Sequence, residues 1–255
     1  IDRLSISKKN KSRISESIET ALRESDGIVT VSFLDESKKD ITFSGSRVYD
    51  GTTTVSSSDL VTNDTTSGET LAFSGSGTVS SANVQNNQSI TLGSIAIADG
   101  SGGGLASNYN LTTGTFDISQ KWVSVGGQKI YDATTTVSSS DLDVTGEVTG
   151  ESISITGTGS VTDKNVGSGK TIDISGLSLS DGSHSASNYT IGTTSFAITR
   201  RNLSISGEKV YDGTGTVLAS QIDTVNTAGG ETLTISGEGS VSLPSVGTNK
   251  SITLN

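Results

Sequence analysis

Short alternations of apolar and polar residues, interrupted by Gly, Ser and Thr, run along most of this chain. Such alternation indicates half-buried β-strands, because successive side chains of a strand point to opposite faces of a sheet. The clearest case is residues 151–156, where Ile153 and Ile155 are predicted to share one buried face. Gly176 interrupts a later alternation, which predicts a bend or a bulge. The pattern therefore predicts an all-β protein made of short strands.

The beginning of the chain departs from this pattern. From Ile14 onward, isoleucine and leucine recur at every fourth position, which predicts a helix over roughly 12–24. The alternating stretches 4–7 and 28–33 read as short strands on either side of it. We therefore expect a strand–helix–strand segment over 1–40 that differs from the rest of the chain.

The remaining chain repeats itself. A Val/Ile-Tyr-Asp string occurs at Tyr49, Tyr131 and Tyr211, in steps of 82 (131 − 49) and 80 (211 − 131) residues. An Asn-Tyr pair keeps the same step, beginning at Asn108 and at Asn188. This period exceeds the roughly 20–50 residues of one solenoid coil, so each repeat is predicted to be a small domain.

The repeats divide the chain into 41–122, 123–202 and a truncated third unit at 203–255. The middle unit contains about seven or eight short alternating segments, which is typical of an immunoglobulin-like antiparallel β-sandwich. Only four residues join neighbouring units, at 119–122 and 199–202. Because such short joints restrict swinging, we expect a rod of tandem sandwiches. The third unit stops before its own Asn-Tyr pair, so we interpret the chain as a piece of a longer protein.

Composition narrows the classes of function. The net charge of −10 repels phosphate backbones, so nucleic acid is not an expected partner. No apolar run approaches the roughly 18 residues that would span a bilayer, so this segment is not expected to insert into a membrane. With one histidine, His184, and no cysteine, the chain offers no nucleophile–base pair. We therefore predict that it is not an enzyme, and we assign no catalytic, cofactor-binding or metal-binding residue.

The recurring tyrosines are candidates for a row of binding aromatics or for structural anchors. A tyrosine beside a tight turn usually buries its ring and ties its hydroxyl to the backbone, so we favour the structural role for Tyr49, Tyr131 and Tyr211. Tyr109 and Tyr189, each after Asn at a strand start, resemble the tyrosine corner of immunoglobulin-like sandwiches.

Loop aspartates are the second set of candidates. They precede Gly or Ala in turn-like segments, where a side chain that hydrogen-bonds its own turn is the favoured role. Calcium is the alternative, although no segment supplies locally the six to eight oxygens that calcium needs. The five positions are Asp50, Asp99, Asp132, Asp181 and Asp212.

Trp122 is the single tryptophan, and its counterpart at the next joint is Asn202. We favour packing of its ring across the joint, and a platform for sugar stacking is the alternative.

Taken together, these motifs resemble the YDG repeat domain of large secreted bacterial adhesins of the filamentous haemagglutinin type. The resemblance covers about 41–255 and leaves 1–40 outside. Ala133 departs from the name motif, so glycine there is expected to be helpful but not essential. The segments that carry the resemblance are 48–53, 163–170, 174–179, 187–190 and 196–199.

The resemblance implies an extracellular or bacterial cell-surface location and a role in cell adhesion or in the biofilm matrix. The leading hypothesis is therefore a structural and adhesive repeat segment of a secreted or surface-anchored adhesin, in contact with other repeats of the same large protein. The alternative is a lectin-like module that binds an extracellular polysaccharide or a host glycan, through its loops or through Trp122. No cofactor is expected, with calcium kept as the alternative for the loops.

Overall fold

Strands dominate the fold. In the computed structural model they account for 47% of the residues, against one α-helix in the described ranges, so the all-β prediction is confirmed. That helix, α1 (Lys11–Glu24), agrees with the predicted helix over 12–24. The predicted strands at 4–7 and 28–33 lie outside the described residues. The structure describes residues 11–24, 38–66, 68–112 and 114–254.

The second repeat unit shows the plan of the fold. One sheet has the order β13-β11-β18-β15, and a second has the order β12-β14-β16, with β17 paired to the other end of β14. The change from β16 to β17 along β14 occurs at Gly176, where the bend was predicted. The strands of this unit are β11 (Lys121–Ile130), β12 (Thr136–Ser138), β13 (Leu142–Thr145), β14 (Ile153–Val161), β15 (Gly167–Lys170), β16 (Ile172–Asp173), β17 (Leu177–Asp181) and β18 (Tyr189–Thr199).

The core of this unit lies between the two sheets. Val125, Phe196 and Ile198 from the first sheet share one buried cluster with Val137 and Ile155 from the second. The alternation predicted for β14 is therefore confirmed, because its isoleucines point into the core. Burying apolar area in this way, at about 25 cal/mol per Å², is the main stabilising contribution available to a unit with few aromatics.

The opening and closing strands of a unit run in the same direction. β11 and β18 pair in parallel over ten positions, from Lys121 beside Tyr189 to Ile130 beside Thr199. The prediction of a wholly antiparallel sandwich is therefore wrong at this pair. The reason is the path of the chain: each closing strand passes almost directly into the next opening strand, so both must point towards the following unit.

The first unit repeats this plan with more interruptions. β2 pairs in parallel with β10, and β1 pairs in parallel with β9. Only Gln120 separates β10 from β11. The strands are β1 (Lys39–Ile41), β2 (Phe43–Val48), β3 (Thr54–Ser56), β4 (Leu60–Thr62), β5 (Leu71–Ser74), β6 (Ser76–Thr78), β7 (Gln85–Ser89), β8 (Ala96–Asp99), β9 (Tyr109–Leu111) and β10 (Thr115–Ser119).

In the third unit, β19 pairs with β21, and β20, β22 and β23 form a three-stranded sheet. Single 3₁₀ turns precede several strands at equivalent places in the units, at Ser57–Asp59, Ala106–Asn108, Ser139–Asp141, Ala186–Asn188 and Ala219–Gln221. The strands of this unit are β19 (Ser204–Gly207), β20 (Thr216–Leu218), β21 (Ile222–Val225), β22 (Glu238–Val241) and β23 (Ile252–Leu254).

Candidate functional site at the joints between units

The residues that recur along the chain meet where one unit contacts the next. We call the contact of the first and second units the first joint, and that of the second and third units the second joint. At the first joint the Tyr49 ring is only 3% exposed. It packs edge-on against the Tyr189 ring of the next unit, with 5.4 Å between centroids and 79° between planes. The two tyrosine motifs are therefore halves of one contact.

Glu151 joins both tyrosines. The Tyr49 hydroxyl donates to its carboxylate oxygens at 2.9 and 3.1 Å, and the Tyr189 hydroxyl donates at 2.6 Å. The Glu151 side chain is almost fully buried. A buried carboxylate is stabilised only when its oxygens are hydrogen-bonded, and here two phenols from different units supply the donors. The Tyr49 hydroxyl was predicted to bond to the backbone; its partner is instead a side chain 102 residues away.

The two phenols at this carboxylate resist ionisation. Burial, followed by the hydrogen bond to Glu151, raises the pKa of Tyr49 to about 12. The same two causes raise the pKa of Tyr189 to about 12. Removing a phenolic proton would place a second negative charge against a buried carboxylate, which the low local dielectric penalises.

Asn188, the first residue of the Asn-Tyr pair, makes hydrogen bonds across the same joint. Asn188 is 1% exposed, and its side-chain oxygen accepts a hydrogen bond from the Val84 backbone N–H at 3.0 Å. Its amide nitrogen donates to the Asn83 side-chain oxygen, also at 3.0 Å. The Gln120 amide donates to the backbone oxygens of Ser187 and Tyr189. Polar contacts from Asn188 and Gln120 therefore cross the joint in addition to those of the tyrosines.

Apolar packing crosses the joint as well. The buried cluster that contains Phe116 and Ile118 of the first unit continues into Val123, Ile153 and Ala186 of the second. The two units thus share one core at their contact. This sharing distinguishes the first joint from a pair of domains that merely touch through polar surfaces.

The second joint uses the same motif residues with one addition. The Tyr131 hydroxyl donates to Glu231 at 2.5 Å, and the Lys164 ammonium donates to the same carboxylate at 2.8 Å. Lys164 also lies 6.0 Å from the centre of the Tyr131 ring. The carboxylate that accepts two phenols at the first joint therefore accepts one phenol and one ammonium here.

The charges at the second joint reflect this arrangement. Hydrogen bonds from Lys164 and Tyr131 lower the pKa of Glu231. The hydrogen bond to Glu231 raises the pKa of Lys164 and, together with burial, that of Tyr131. The shifts of Glu231 and Lys164 favour the charged carboxylate and ammonium, so these two groups form an ion pair at neutral pH, while the Tyr131 phenol stays protonated.

The repeat that builds these joints also identifies the family. A YDG domain model matches residues 37–116, 120–196 and 199–255, which is most of the chain. The chain belongs to the YDG domain family. Residues 1–35 are similar to the UvrA interaction domain, and α1 is the described part of that match. Searches of curated proteins and of solved structures found no match.

These findings correct part of the predicted resemblance. The YDG domain itself is confirmed, but neither matching model is described as an adhesin. The predicted membership in the filamentous haemagglutinin type of secreted adhesin is therefore wrong, since the findings provide no support for it. The extracellular location stays a prediction. In the described ranges, no helix combines the length and the apolar character needed to cross a membrane.

The Tyr-Asp loop that gives the YDG units their pattern is an Asx turn. In each unit the aspartate side chain accepts the backbone N–H two residues later, at 2.9 Å from Thr52, 3.0 Å from Thr134 and 2.9 Å from Thr214. The turn-forming role predicted for Asp50, Asp132 and Asp212 is thus what the structure shows. The carboxylates of Asp99 and Asp181 likewise accept backbone N–H groups, from Ala106 and Ala186.

Sequence reasoning missed the base that completes this loop. Three residues before each aspartate stands Arg47, Lys129 or Lys209, which pairs with that aspartate at 2.9 to 3.1 Å. Each base also donates to backbone carbonyls of the following threonine segment. With Lys209 and Thr214 as partners, the pKa of Asp212 falls to about 2. The signal was present in the sequence, because a base recurs at this spacing in every unit.

The third position of the motif has left-handed backbone in all three units. The φ angles are +78° at Gly51, +66° at Ala133 and +76° at Gly213. Alanine adopts this conformation at a cost of about 1 kcal/mol, so glycine is helpful but not essential, as predicted. The Ala133 methyl faces Gly229 across the second joint, where a Cβ on Gly229 would lie 2.7 Å away. The residue aligned with Gly229 in the second unit is Thr149.

Trp122 does not pack across a joint, so that favoured interpretation is wrong. It belongs to β11 and is 75% exposed. A Cβ on Gly192 of neighbouring β18 would lie 3.2 to 3.4 Å from Trp122 side-chain atoms, so the indole lies on that glycine. On the same face, a groove of about 490 Å³ includes Ser124, Gly126 and Asp143 in its lining. The ring therefore lies on the strand face that carries this groove, two residues before Ser124.

His184 lies beside the first joint, with its Nε2 3.9 Å from a Glu151 oxygen and its Nδ1 3.0 Å from the Ser183 hydroxyl. Within the described ranges, His, Asp and Glu side chains do not converge in groups of three or more that could hold a metal ion. The calcium alternative for the loops stays a prediction.

Proposed function

We propose that this chain is a load-bearing spacer, in which tandem immunoglobulin-like sandwiches form a stiff rod that transmits tension along its length. One observation carries the proposal: the parallel pairing of β11 with β18 over ten positions. The chain enters the unit on β11 and leaves on β18, so tension pulls these two adjacent strands in opposite directions.

Parallel terminal strands make such tension act as shear. The inter-strand hydrogen bonds are evenly spaced along a parallel pair and lie across the direction of the pull. The unit can then open only when many of these bonds yield together. If the two strands were pulled apart from one end, the bonds would instead yield one after another. Forced unfolding depends on the unfolding barrier, so the geometry of loading sets the mechanical strength.

The joints support the same proposal. At the first joint the load passes through a single residue, Gln120, between two paired strands. The shared core and the Tyr49–Glu151–Tyr189 hydrogen bonds resist bending of one unit on the next. A rod with such joints keeps its ends apart without spending entropy on a flexible linker.

Pulling the second unit in two directions tests the proposal. The chain has no cysteine, so pairs of introduced cysteines provide unique handles. Handles at Lys121 and Arg200 load β11 and β18 in shear, whereas handles at Lys121 and Ser187 pull them apart from one end. At equal loading rate, we expect a clearly higher rupture force for the first pair. Equal forces would overturn the proposal.

Sugar binding is the second candidate function, and the exposed Trp122 ring on the strand face that carries this groove favours it. An aromatic ring with one free face stacks on the apolar face of a sugar, and neighbouring hydroxyls and a carboxylate can bind its hydroxyl groups. The Ser124 and Thr193 hydroxyls lie 2.7 Å apart in the groove wall, and Asp143 is also part of the lining. The site would occur once in the chain, since the residues aligned with Trp122 in the other units are Asp40 and Asn202.

Trp122 provides its own reporter, because it is the only tryptophan. We expect a saturable change in tryptophan fluorescence with an N-acetylglucosamine oligomer or a β-linked glucan. Calorimetry should then show that the binding is lost in Trp122→Ala and kept in Val61→Ala, a matched change at another exposed apolar residue. Unchanged fluorescence with both sugars would remove this candidate.

A DNA duplex with and without methylcytosine belongs in the same titration, because SRA-YDG-like proteins bind methylcytosine in DNA. Because the net charge is −10, we expect the chain to bind neither duplex at physiological salt. Salt-dependent binding of the methylated duplex alone would replace the spacer proposal with a DNA-reading function.

A further inference from the structure

The two joints divide side-chain volume differently between the two loops that meet there. One of these is the Tyr-Asp loop of the preceding unit. The other leads to the glutamate of the following unit, and we call it the receiving loop, at 146–151 in the second unit and 226–231 in the third. The two receiving loops have the same length and end at Glu151 and Glu231. Their residues can therefore be compared one by one.

At the first joint the receiving loop is bulky and the Tyr-Asp loop carries no side chain at the contact. A Cβ on Gly51 would lie 2.9 Å from Glu151 Oε1 and 3.3 Å from Val148 Cγ1. The Glu151 carboxylate cannot give way without loss, because hydrogen bonds from the Tyr49 and Tyr189 hydroxyls hold it in place. This receiving loop therefore fits against glycine and not against a larger residue.

At the second joint the distribution of volume is reversed. Ala133 adds a methyl group to the Tyr-Asp loop, and the receiving loop has Ala228 and Gly229 where the second unit has Val148 and Thr149. A Cβ on Gly229 would lie 2.7 Å from the Ala133 Cβ, well below the roughly 3.5–4.0 Å at which carbon atoms pack. The volume that one loop gains is thus matched by volume that the other loop lacks.

We propose that the sizes of these facing residues determine which unit each Tyr-Asp loop accepts as its neighbour. The loop with Ala133 fits a receiving loop that has glycine at position 229, and it rejects a receiving loop like that of the second unit. A second copy of the second unit therefore cannot take the place of the third. Specificity among similar surfaces depends on such clashes with the wrong partner as well as on good contacts with the right one.

The consequence is a fixed order of units along the chain. Units of similar sequence can dock on the wrong neighbour, and such misassembly is a characteristic failure of repeat proteins. A clash at the joint makes the wrong pairing unfavourable, because a closely packed contact does not accept an extra methyl group without displacing its surroundings. The inference rests on the joints of the proposed spacer. It concerns contacts between units, whereas the pulling experiment acts within the second unit, so the two can fail separately.

A double-mutant cycle with Gly229→Ala and Ala133→Gly tests the contact at the second joint. Gly229 has a φ of +55°, so part of the loss for Gly229→Ala is backbone strain. The cycle cancels this strain, because it is present with either residue at 133. Gly230→Ala is the matched control, since Gly230 has a φ of +72° and no atom within 4 Å of an added Cβ.

Denaturant unfolding should show that Gly229→Ala lowers the equilibrium constant for folding by at least about tenfold more than Gly230→Ala does. Tenfold is equivalent to about 1.4 kcal/mol. With Ala133→Gly in the same chain, this excess should disappear. Equal losses for the two glycines, or an excess that persists with Ala133→Gly, would overturn the proposal.

Gly51→Ala tests the rejected pairing directly, because it places the second unit's loop residue against the second unit's own receiving loop. Gly150→Ala is the control, with a φ of +88° and open space around an added Cβ. We expect Gly51→Ala to lower the equilibrium constant for folding by at least about tenfold more than this control, and Val148→Ala in the same chain to recover part of the loss. A Gly51→Ala variant no less stable than the control would contradict the size match.

Discussion

The two joints contain nearly the same motif and bury it to different extents. Tyr49 is buried at the first joint, Tyr131 is half-buried at the second, and Tyr211 of the third unit is exposed. The three tyrosines occupy equivalent loops, each with the same Asx turn and the same base. Between Tyr49 and Tyr131 the difference therefore lies in what the following unit supplies. The tyrosine is one half of a contact whose other half is carried about 100 residues further along the chain.

The apolar residues of the second joint show the physical reason. Leu203 and Leu233 stand where the second unit has Val123 and Ile153, and both leucines are more than a third exposed. Arg200 begins a four-residue connection to β19, whereas Gln120 alone joins the units at the first joint. With less apolar burial, the second joint depends more on the Lys164–Glu231 ion pair.

The largest effect that separates the joints should come from the tyrosines. Tyr49→Ala removes a buried ring and should lower the free energy of unfolding by about 3–5 kcal/mol. Tyr211→Ala should change it by no more than about 0.5 kcal/mol, since the ring is exposed. The loss in the free energy of unfolding for Tyr131→Ala should lie between these two values. Denaturant unfolding of the three variants measures the series, and equal losses would contradict the comparison.

The second-largest effect should come from alkaline pH, which should weaken the first joint. In the unfolded chain these phenols ionise near their ordinary pKa of 10.0, but in the folded protein Tyr49 and Tyr189 ionise near 12. The unfolded state therefore loses protons first. The stabilisation is complete below pH 10 and is lost as the pH rises through 12. It amounts to about 2–3 kcal/mol for one tyrosine, and the two are not additive because both face Glu151.

Unfolding experiments across this pH range, read with tyrosinate absorbance, measure the loss. A double variant with Tyr49→Phe and Tyr189→Phe is the control, because it should show a flatter dependence. If the wild-type chain and the double variant lose stability in parallel, the raised pKa values do not matter to folding.

The third-largest effect on stability should come from substitution of Asn188. Asn188→Ala leaves the Val84 backbone N–H without its partner at a partly buried position, which should cost about 1–3 kcal/mol. The matched change Asn108→Ala, at an exposed asparagine in the same local structure, should cost less than about 0.5 kcal/mol. Thermal unfolding of both variants makes the comparison, and similar melting temperatures would argue against the cross-joint role.

The smallest effect should come from Lys164. Lys164→Ala removes a partly exposed ion pair at the second joint, so the loss should be slight and should disappear at high salt. At acid pH the wild-type chain should behave like this variant. Because the pKa of Glu231 is lowered, its contribution is present above the usual carboxylate range and is lost as the pH falls through the folded value. A salt-independent effect would point to packing instead of charge.

Local features of the fold were predictable from the sequence. Each of these features depends on residues that lie close together in the chain. They are the helix α1, the alternation of Ile153 and Ile155, the bend at Gly176 and the turn role of Asp132. The base at Lys129 was equally local and could have been found by its spacing from the aspartate in every unit.

The joint was not predictable in the same way. Tyr49 and Glu151 lie 102 residues apart, and although both residue types recur with the repeat, nothing in either segment indicates that they contact each other. The parallel pairing of β11 with β18 likewise depends on the path of the whole unit. Trp122 was misassigned because its place near a unit boundary suggested a joint, whereas the alternation of β11 points its ring away from the core.

A double-mutant cycle between Tyr49 and Glu151 tests the central claim most directly. Tyr49→Phe, Glu151→Gln and the double variant remove the cross-unit hydrogen bond with little loss of volume. We predict a coupling energy of about 1–2 kcal/mol in the free energy of unfolding. Strictly additive effects of the two changes would contradict the account, because the recurring tyrosine and glutamate would then not act together in holding one unit to the next.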